Sequence, residues 1–277
     1  MHFDATGKVS LDQIYTQPDP RPYFSSLRAL DYCIPEVAKP HFAKLIQEYQ
    51  ATQGVAVPTV LDIGCSYGVN AALLKYGLTM NELYQHYSDP ADHDRDALLA
   101  RDRELACTRD RFLDTRFIGF DSSQPALSYA RSAEFIDDAV HADLERADPT
   151  ERQRTQLAEA DLVISTGCVG YVTHKTVARV ATAHGERRPW MAHFVLRMFP
   201  YDPVAERLTA LGYETDLMEG MFRQRRFASA EEQSLVLDTL AAEGVDPEGL
   251  ESEGWLYAQL FVSRPRRAGV PAKKDEK

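Results

Sequence analysis

The chain has 277 residues, 44% hydrophobic and 26% charged, with glycine and proline at 15 each; this excludes a disordered or collagen-like polymer and suits one large domain with a modest appendage. A formal charge of −11 opposes a phosphate backbone over the whole surface, so nucleic acid is not an expected partner. No run approaches the roughly 18 apolar residues of a membrane span, and Met1-His2-Phe3-Asp4 lacks the layout of a secretory signal, so no membrane association is expected and the expected compartment is the cytoplasm.

Residues 1–22 carry Pro18, Pro20 and Pro22 and read as an extended arm, made aromatic by Tyr15 and, beyond it, Tyr23, Phe24 and Tyr32. From Pro40, the positions of Phe42, Leu45, Ile46 and Tyr49 repeat at i, i+3, i+4 and i+7, an apolar stripe on one helix that ends by Gly54. Residues 55–63 (VAVPTVLDI) form a β-rich run that meets a turn at 64–68, and helical spacing resumes over 69–76. Strand, tight turn and helix open a βαβ unit. Within 78–114, Thr79 and Glu82 have capping-box spacing for a short helix, and Asp89-Pro90 is a turn. A charged helix is expected over 94–113, with Leu98, Leu105 and Phe112 as a narrow stripe.

Further on, strands are expected at 116–120, 139–142, 161–165, 190–198, 213–218 and 255–263. Helices are expected at 123–135, at 173–183, from Asp202-Pro203 to Gly212, and from Ser229-x-x-Glu232 to Gly244. The alternation predicts an α/β, doubly wound, mostly parallel sheet with helices on both faces. Cys33, Cys65, Cys107 and Cys168 stand apart with no C-x-x-C pair, which predicts reduced thiols rather than disulfides or a zinc site.

In 60–68 (VLDIGCSYG) a carboxylate, Asp62, ends a buried strand, and Gly64 and Gly68 let the backbone turn tightly against a ligand. A dinucleotide fingerprint needs glycines at its first, third and sixth positions, and this chain offers Gly64, Ser66 and Val69, which disfavours a nicotinamide oxidoreductase. The spacing instead resembles the first motif of the class I methyltransferases that use S-adenosylmethionine (SAM), an acidic residue followed by G-x-G-x-G, with Ser66 in place of the middle glycine.

The likeness continues along the chain. Residues 117–121 (FIGFD), followed by Ser122, Ser123, Pro125 and Leu127, resemble the second motif, in which Asp121 would accept from both ribose hydroxyls. His141-Ala142-Asp143-Leu144 resembles the third, implying that Asp143 and the Leu144 amide meet the adenine edge. Residues 161–166 (DLVIST) resemble the fourth, which would set Ser165 and Thr166 beside the methionine end. The resemblance covers about 55–264 and implies a Rossmann-like, seven-stranded sheet with a reversed last strand, in which Gly64, Cys65, Gly68 and Ser122 also contact SAM. It divides the chain into an arm and cap helix (1–54), a SAM-binding domain (55–264) with a helical insertion at 78–114, and a disordered tail (265–277). That insertion accounts for Asp121 lying 59 residues after Asp62 rather than about 20. Glu82 would be the alternative ribose residue, but no β-run precedes it.

Several side chains carry two readings. Asp62 either holds the loop amides or the ligand's amino group, or is a plain strand-end acid; Asp143 either meets adenine or caps a turn. Tyr171 and His174 follow the fourth strand toward the expected methyl position and are the candidate catalytic residues, although a histidine also suits an exposed helix start. Tyr15, Tyr23, Phe24 and Tyr32 either close over the sulfonium as a lid or pack a helix onto the sheet. Arg28 and Arg21 either clamp a carboxylate or lie on the surface. Arg223, Arg225 and Arg226 form a basic patch that either reads an acidic substrate or decorates the link before the penultimate helix. Asp92-His93-Asp94 resembles a ligand set in composition only and suits a helix charge cap, so no metal is expected.

The resemblance implies a transferase of small-molecule biosynthesis that moves a methyl group from SAM, its co-substrate, to an O, N or C acceptor. Two alternatives stand beside it: attack on a non-methyl carbon of SAM, by cyclisation or as a lyase, releasing methylthioadenosine; and SAM binding without catalysis. Neither the acceptor nor the oligomeric state is written in the sequence.

Overall fold

The computed structural model describes residues 2–88, 94–185 and 187–266; the expected Asp89-Pro90 turn, Asp92, His93 and the tail from residue 267 lie outside them. Eight strands form one sheet: β1 (Thr59–Ile63), β2 (Arg116–Asp121), β3 (Asp138–His141), β4 (Leu162–Thr166), β5 (Trp190–Leu196), β6 (Tyr213–Leu217), β7 (Phe222–Arg226) and β8 (Trp255–Pro265). Their order is β3-β2-β1-β4-β5-β8-β6, with β7 also on β8. The first five are mutually parallel, and β8 runs antiparallel to β5, β6 and β7. This is the Rossmann-like arrangement with a reversed last strand, enlarged by an eighth strand that alternation alone did not predict.

Ten helices are described: α1 (Arg21–Arg28), α2 (Ile34–Gln53), α3 (Val69–Tyr76), α4 (Met80–His86), α5 (Arg95–Thr108), α6 (Gln124–Ser132), α7 (Glu151–Leu157), α8 (His174–Thr182), α9 (Asp202–Ala210) and α10 (Ala230–Ala242). Alternate residues of each strand face opposite sides, as the two-residue period requires. Val60, Phe117, Ile164 and Phe194 pack under α2, α3 and α6, whereas Leu61, Ile118, Val163 and Met191 pack under α8 and α9. Both faces being covered explains the nearly continuous apolar strands.

The structure corrects several boundaries. The first strand begins at Thr59 rather than residue 55, because Pro58 has no N–H for the ladder. α2 begins at Ile34 and runs through Pro40; Pro35 opens it with a preset φ, and burial of Ala38, Phe42 and Ile46 outweighs the bond that Pro40 removes. α5 stops at Thr108, so Phe112 is 52% exposed instead of closing the stripe. α7 was not expected, although Thr150 and Gln153 form a reciprocal cap of the kind read at Thr79. The final strand extends to Pro265, one residue into the expected tail, and Arg264 pairs with Glu48 at 2.9 Å.

The N-terminal arm is folded, not extended. An antiparallel bridge joins Phe3 to Val9, Asp12–Tyr15 is a 3-10 turn, and α1 follows. Val9 donates to Glu232 Oε1 at 2.7 Å and Thr239 Oγ1 donates to the Thr6 carbonyl at 3.0 Å, so α10 holds the segment in place. α4 and α5 lie across α1 and α6. There Asp102, fully buried, faces His86 Nε2 at 2.6 Å and accepts from Tyr129 at 2.6 Å and Tyr87 at 3.1 Å. Asp94 caps α5 by accepting from Ala97 N.

Candidate active site

The carboxyl ends of β1, β2 and β4 meet at the turn 64–68. Gly64 has φ +69°, its amide donates to the Phe120 carbonyl at 2.8 Å, and a Cβ there would stand 2.8 Å from Cys168 Cβ. Gly68, at φ +79°, opens α3. Between them Ser66 adopts φ +51°, a left-handed conformation that costs a non-glycine residue about 1–2 kcal/mol. The position where the resemblance calls for glycine thus has the backbone that favours glycine.

That turn presents its amides to a carboxylate. Asp121 Oδ2 accepts from Ser66 N at 2.9 Å and Oδ1 from Ser123 N at 2.8 Å. Burial nevertheless raises the Asp121 pKa, outweighing those backbone bonds. Asp62 is completely buried and accepts from Asn70 Nδ2 at 3.0 and 3.2 Å. Burial pushes its carboxyl up to about 8, opposed by the Asn70 bond and assisted by Asp121. Asn70 also donates to Thr166 Oγ1 at 3.1 Å, joining β1, α3 and β4. Asn70 had no sequence signal, since its role comes only from the first turn of α3 facing the strand ends.

The arm closes over this cluster. Tyr67 OH lies 3.0 Å from the carbonyls of both Ile14 and Gln17, and Ser123 Oγ donates to the Tyr15 carbonyl at 2.5 Å. Tyr23 packs edge-on against Tyr15 and Tyr67, each at 5.7 Å between ring centres, and Tyr32 at 6.4 Å. Burial pushes Tyr15 up to about 12, with Arg225 pulling down and Asp121 pushing up, so the hydroxyl lies within reach of both charges. Burial also raises Tyr32, with Tyr15 and Asp62 contributing.

On the opposite side, the loop after β4 carries Gly167, Cys168 and Tyr171. Tyr171 donates to Asp4 Oδ2 at 2.5 Å and packs edge-on to Phe199 at 5.4 Å, with Lys8 Nζ 5.0 Å from its ring centre. Gln224 reaches beneath Gly167, where its Nε2 stands 2.3 Å from the position a Cβ would take. A bulge between Arg223 and Arg225 turns the consecutive side chains of Gln224 and Arg225 inward. Arg225 is therefore not on a link: it is buried and bidentate to Glu232 at 2.7 and 3.0 Å. Arg223 and Arg226 flank the Trp255 ring on the exposed face.

Other expected site residues lie elsewhere. Phe24 stacks on Tyr87 at 4.4 Å, inside the packing between α1 and α4, and is core rather than lid. Arg28 donates to Ser88 Oγ at 3.0 Å, and Arg21 is bidentate to Asp19, so neither faces the strand ends. His174 opens α8 and lines an outer groove with Asp148, Arg179 and Arg207. Asp143 caps its own turn through Glu145 N at 3.1 Å and pairs with Arg146, while Leu144 is buried. Ser165 points to the other face of the sheet, 2.8 Å from His193 Nδ1. Ser122 is exposed and its carbonyl meets His141 Nε2 at 3.0 Å. Burial raises both the Cys65 and the Cys168 thiols. Among the described residues no cluster of metal-binding side chains occurs, and no helix is long and apolar enough to cross a membrane.

No family model matches the chain, and no curated protein does. Among solved structures it is similar to a TehB-like SAM-dependent methyltransferase from Corynebacterium glutamicum, at 15% identity over 80% of this chain and 86% of that one, TM-score 0.40. It is also similar to the plantazolicin methyltransferase BpumL with a monoazolic desmethylPZN analog and SAH, at 13% identity over 92% and 93%, TM-score 0.44. A third is geranyl diphosphate methyltransferase with GPP and sinefungin, at 7% identity over 81% and 77%, TM-score 0.40. The strand order and the reversed β8 are those of a Rossmann-like fold, with Asp62 and Asp121 near the ends of β1 and β2.

Proposed function

We propose that the protein is a cytoplasmic, SAM-dependent methyltransferase acting on a small molecule, with residues 55–264 as the SAM-binding unit and 1–54 as its cap. The observation that carries this reading is Asp121, whose two oxygens are each fixed by one amide of the adjacent turns and keep further acceptor capacity for two ribose hydroxyls. Buried acceptors without a partner, Asn70 Oδ1 and Gln224 Oε1, suit a ligand that brings hydrogen-bond donors such as an amino group.

SAM supplies a methyl group already activated on a sulfonium. The chain has to orient it and keep water away, and positioning alone accounts for much of such a rate. In this reading Asp121 holds the ribose, Asp62 with Asn70 and Thr166 receives the amino-acid end, and Tyr15, Tyr23 and Tyr32 offer aromatic faces to the positive centre. Tyr171 stands at the acceptor side and is the remaining catalytic candidate; His174, in its outer groove, has no part. The closure of the arm by Tyr67 and Ser123 favours a second reading, in which SAM reacts without a separate acceptor.

Incubating the purified protein with SAM and a metabolite extract, followed by mass spectrometry of the nucleoside product, tests both. S-adenosylhomocysteine (SAH) is expected. Methylthioadenosine without added acceptor supports the second reading, SAM binding with neither product supports a binding module, and no binding overturns the assignment.

A further inference from the structure

Lys8 is buried to 8% exposure, yet its ammonium makes no hydrogen bond or ion pair among the described residues; it lies 5.0 Å from the centre of the Tyr171 ring. Leaving three charged N–H donors unmatched in such a place is costly unless something else accepts from them. The nearby carboxylates are already committed. Asp4 Oδ1 accepts from Thr6 N, Thr6 Oγ1 and Lys8's own amide, and Oδ2 accepts from Tyr171. Glu232 accepts two bonds from Arg225, one from Val9 N and one from Ala228 N. Four bonds saturate a carboxylate. Arg225, beside Lys8, spends both Nη1 hydrogens and one Nη2 hydrogen on Glu232 and the Arg226 carbonyl, which leaves one hydrogen on Nη2 and the one on Nε. Donors are left over here and acceptors are used up.

We propose that Lys8 is a specificity residue that receives a carboxylate of the acceptor substrate, with Arg225 behind it and the Tyr171 and Phe199 rings as the wall against which the substrate's body lies. This rests on the reading of the crevice as a methyl-transfer site. A carboxylate has two possible sources, the acceptor and the amino-acid end of SAM. The acceptor is favoured because Lys8 Nζ stands over the ring of Tyr171, in the loop after β4, and Tyr171 is tied to Asp4, whereas the carboxylates assigned to the nucleoside, Asp62 and Asp121, are held by Asn70 and by the Ser66 and Ser123 amides. Burial and Arg225 bring its pKa down to about 8, and an incoming anion would raise it again.

The test is calorimetric titration of the full-length, SAH-saturated protein with benzoate, and with benzyl alcohol as its neutral counterpart. Benzoate should bind wild type, weaken about tenfold or more in Lys8→Met, and be largely retained in Lys8→Arg, while benzyl alcohol is indifferent to both changes. SAH affinity should be the same in all three proteins, which also shows that the variants are folded. Benzoate that fails to bind wild type, or that binds Lys8→Met equally well, overturns the proposal. A loss of SAH affinity in Lys8→Met assigns the carboxylate to the nucleoside and overturns the acceptor assignment. SAH binding to wild type is read separately, so failure of the methyltransferase reading is distinguishable.

Discussion

The two walls of the crevice are built on different principles. The wall around Asp62 and Asp121 comes from residues 62–70 and 119–123, and consists mainly of backbone: two glycines and a serine at positive φ, and amides that fix one carboxylate. The opposite wall draws Asp4 and Lys8 from the arm, Tyr171 from a loop, Arg225 from β7 and Glu232 from α10, and charge pairing holds it together. A wall of backbone tolerates few residue types at each position, whereas a wall of paired side chains depends on partners distant in sequence, 167 residues apart for Asp4 and Tyr171 and 223 for Val9 and Glu232.

Breaking the side-chain wall should have the largest effect. Glu232→Ala leaves Arg225 buried without its counter-charge and strips Val9 N and Ala228 N of their acceptor, so a stability loss of about 3–5 kcal/mol is expected in denaturant unfolding. SAH affinity of the folded fraction should stay near wild type, because none of these groups belongs to the other wall; a parallel loss of SAH affinity would show that the walls are coupled. The converse change is Asp121→Ala. It should weaken SAM by about 2–3 kcal/mol, the cost of two hydroxyls losing a charged acceptor, as measured by calorimetry. Unchanged affinity would remove Asp121 from the ribose.

This contrast also decides what was legible in the sequence. The left-handed turn and the strand-end carboxylates leave local marks, namely glycines at fixed offsets and an acid after an apolar run, so Asp62, Gly64, Gly68 and Asp121 could be read along with the mostly parallel sheet. Asn70, Gln224 and Lys8 leave none, because an amide or an amine becomes a site residue only when distant elements aim it inward. Arg225 was visible as a charge, read either as a contact for an acidic substrate or as decoration of a link, and its burial was not foreseen, since a bulge that reverses the alternation of β7 has no compositional signature. Phe24, Arg28 and His174 each carried two readings for the complementary reason: their residue types suit a site, but packing against Tyr87, a bond to Ser88 and an outer groove engage them in the fold.

Within the nucleoside wall, Asp62 gives a pH dependence with a definite sign. In the folded protein its carboxyl keeps a proton up to about pH 8, whereas an unfolded aspartate releases it at its ordinary value of 3.8. Its contribution is thus fully present below the unfolded value and is lost as pH rises through this window toward the folded one. Asp62→Asn should match wild type in ligand-free thermal stability near pH 4 and gain on it progressively toward pH 8. A constant difference at pH 4, 6 and 8 would mean that the buried carboxyl does not hold its proton.

The smallest effect sharpens the claim that backbone, not side chain, makes the nucleoside wall. Ser66→Gly should relieve the left-handed strain of about 1–2 kcal/mol while adding roughly 0.5–1 kcal/mol of chain entropy, a net stabilisation of at most about 1.5 kcal/mol. The buried Ser66 hydroxyl has no partner to lose, and the amide that donates to Asp121 remains. SAH affinity should therefore hold within about twofold, which is far less than one hydrogen bond. A tenfold fall would assign the hydroxyl a ligand contact, and the turn would then recognise its ligand through a side chain at the position where glycine has the better backbone.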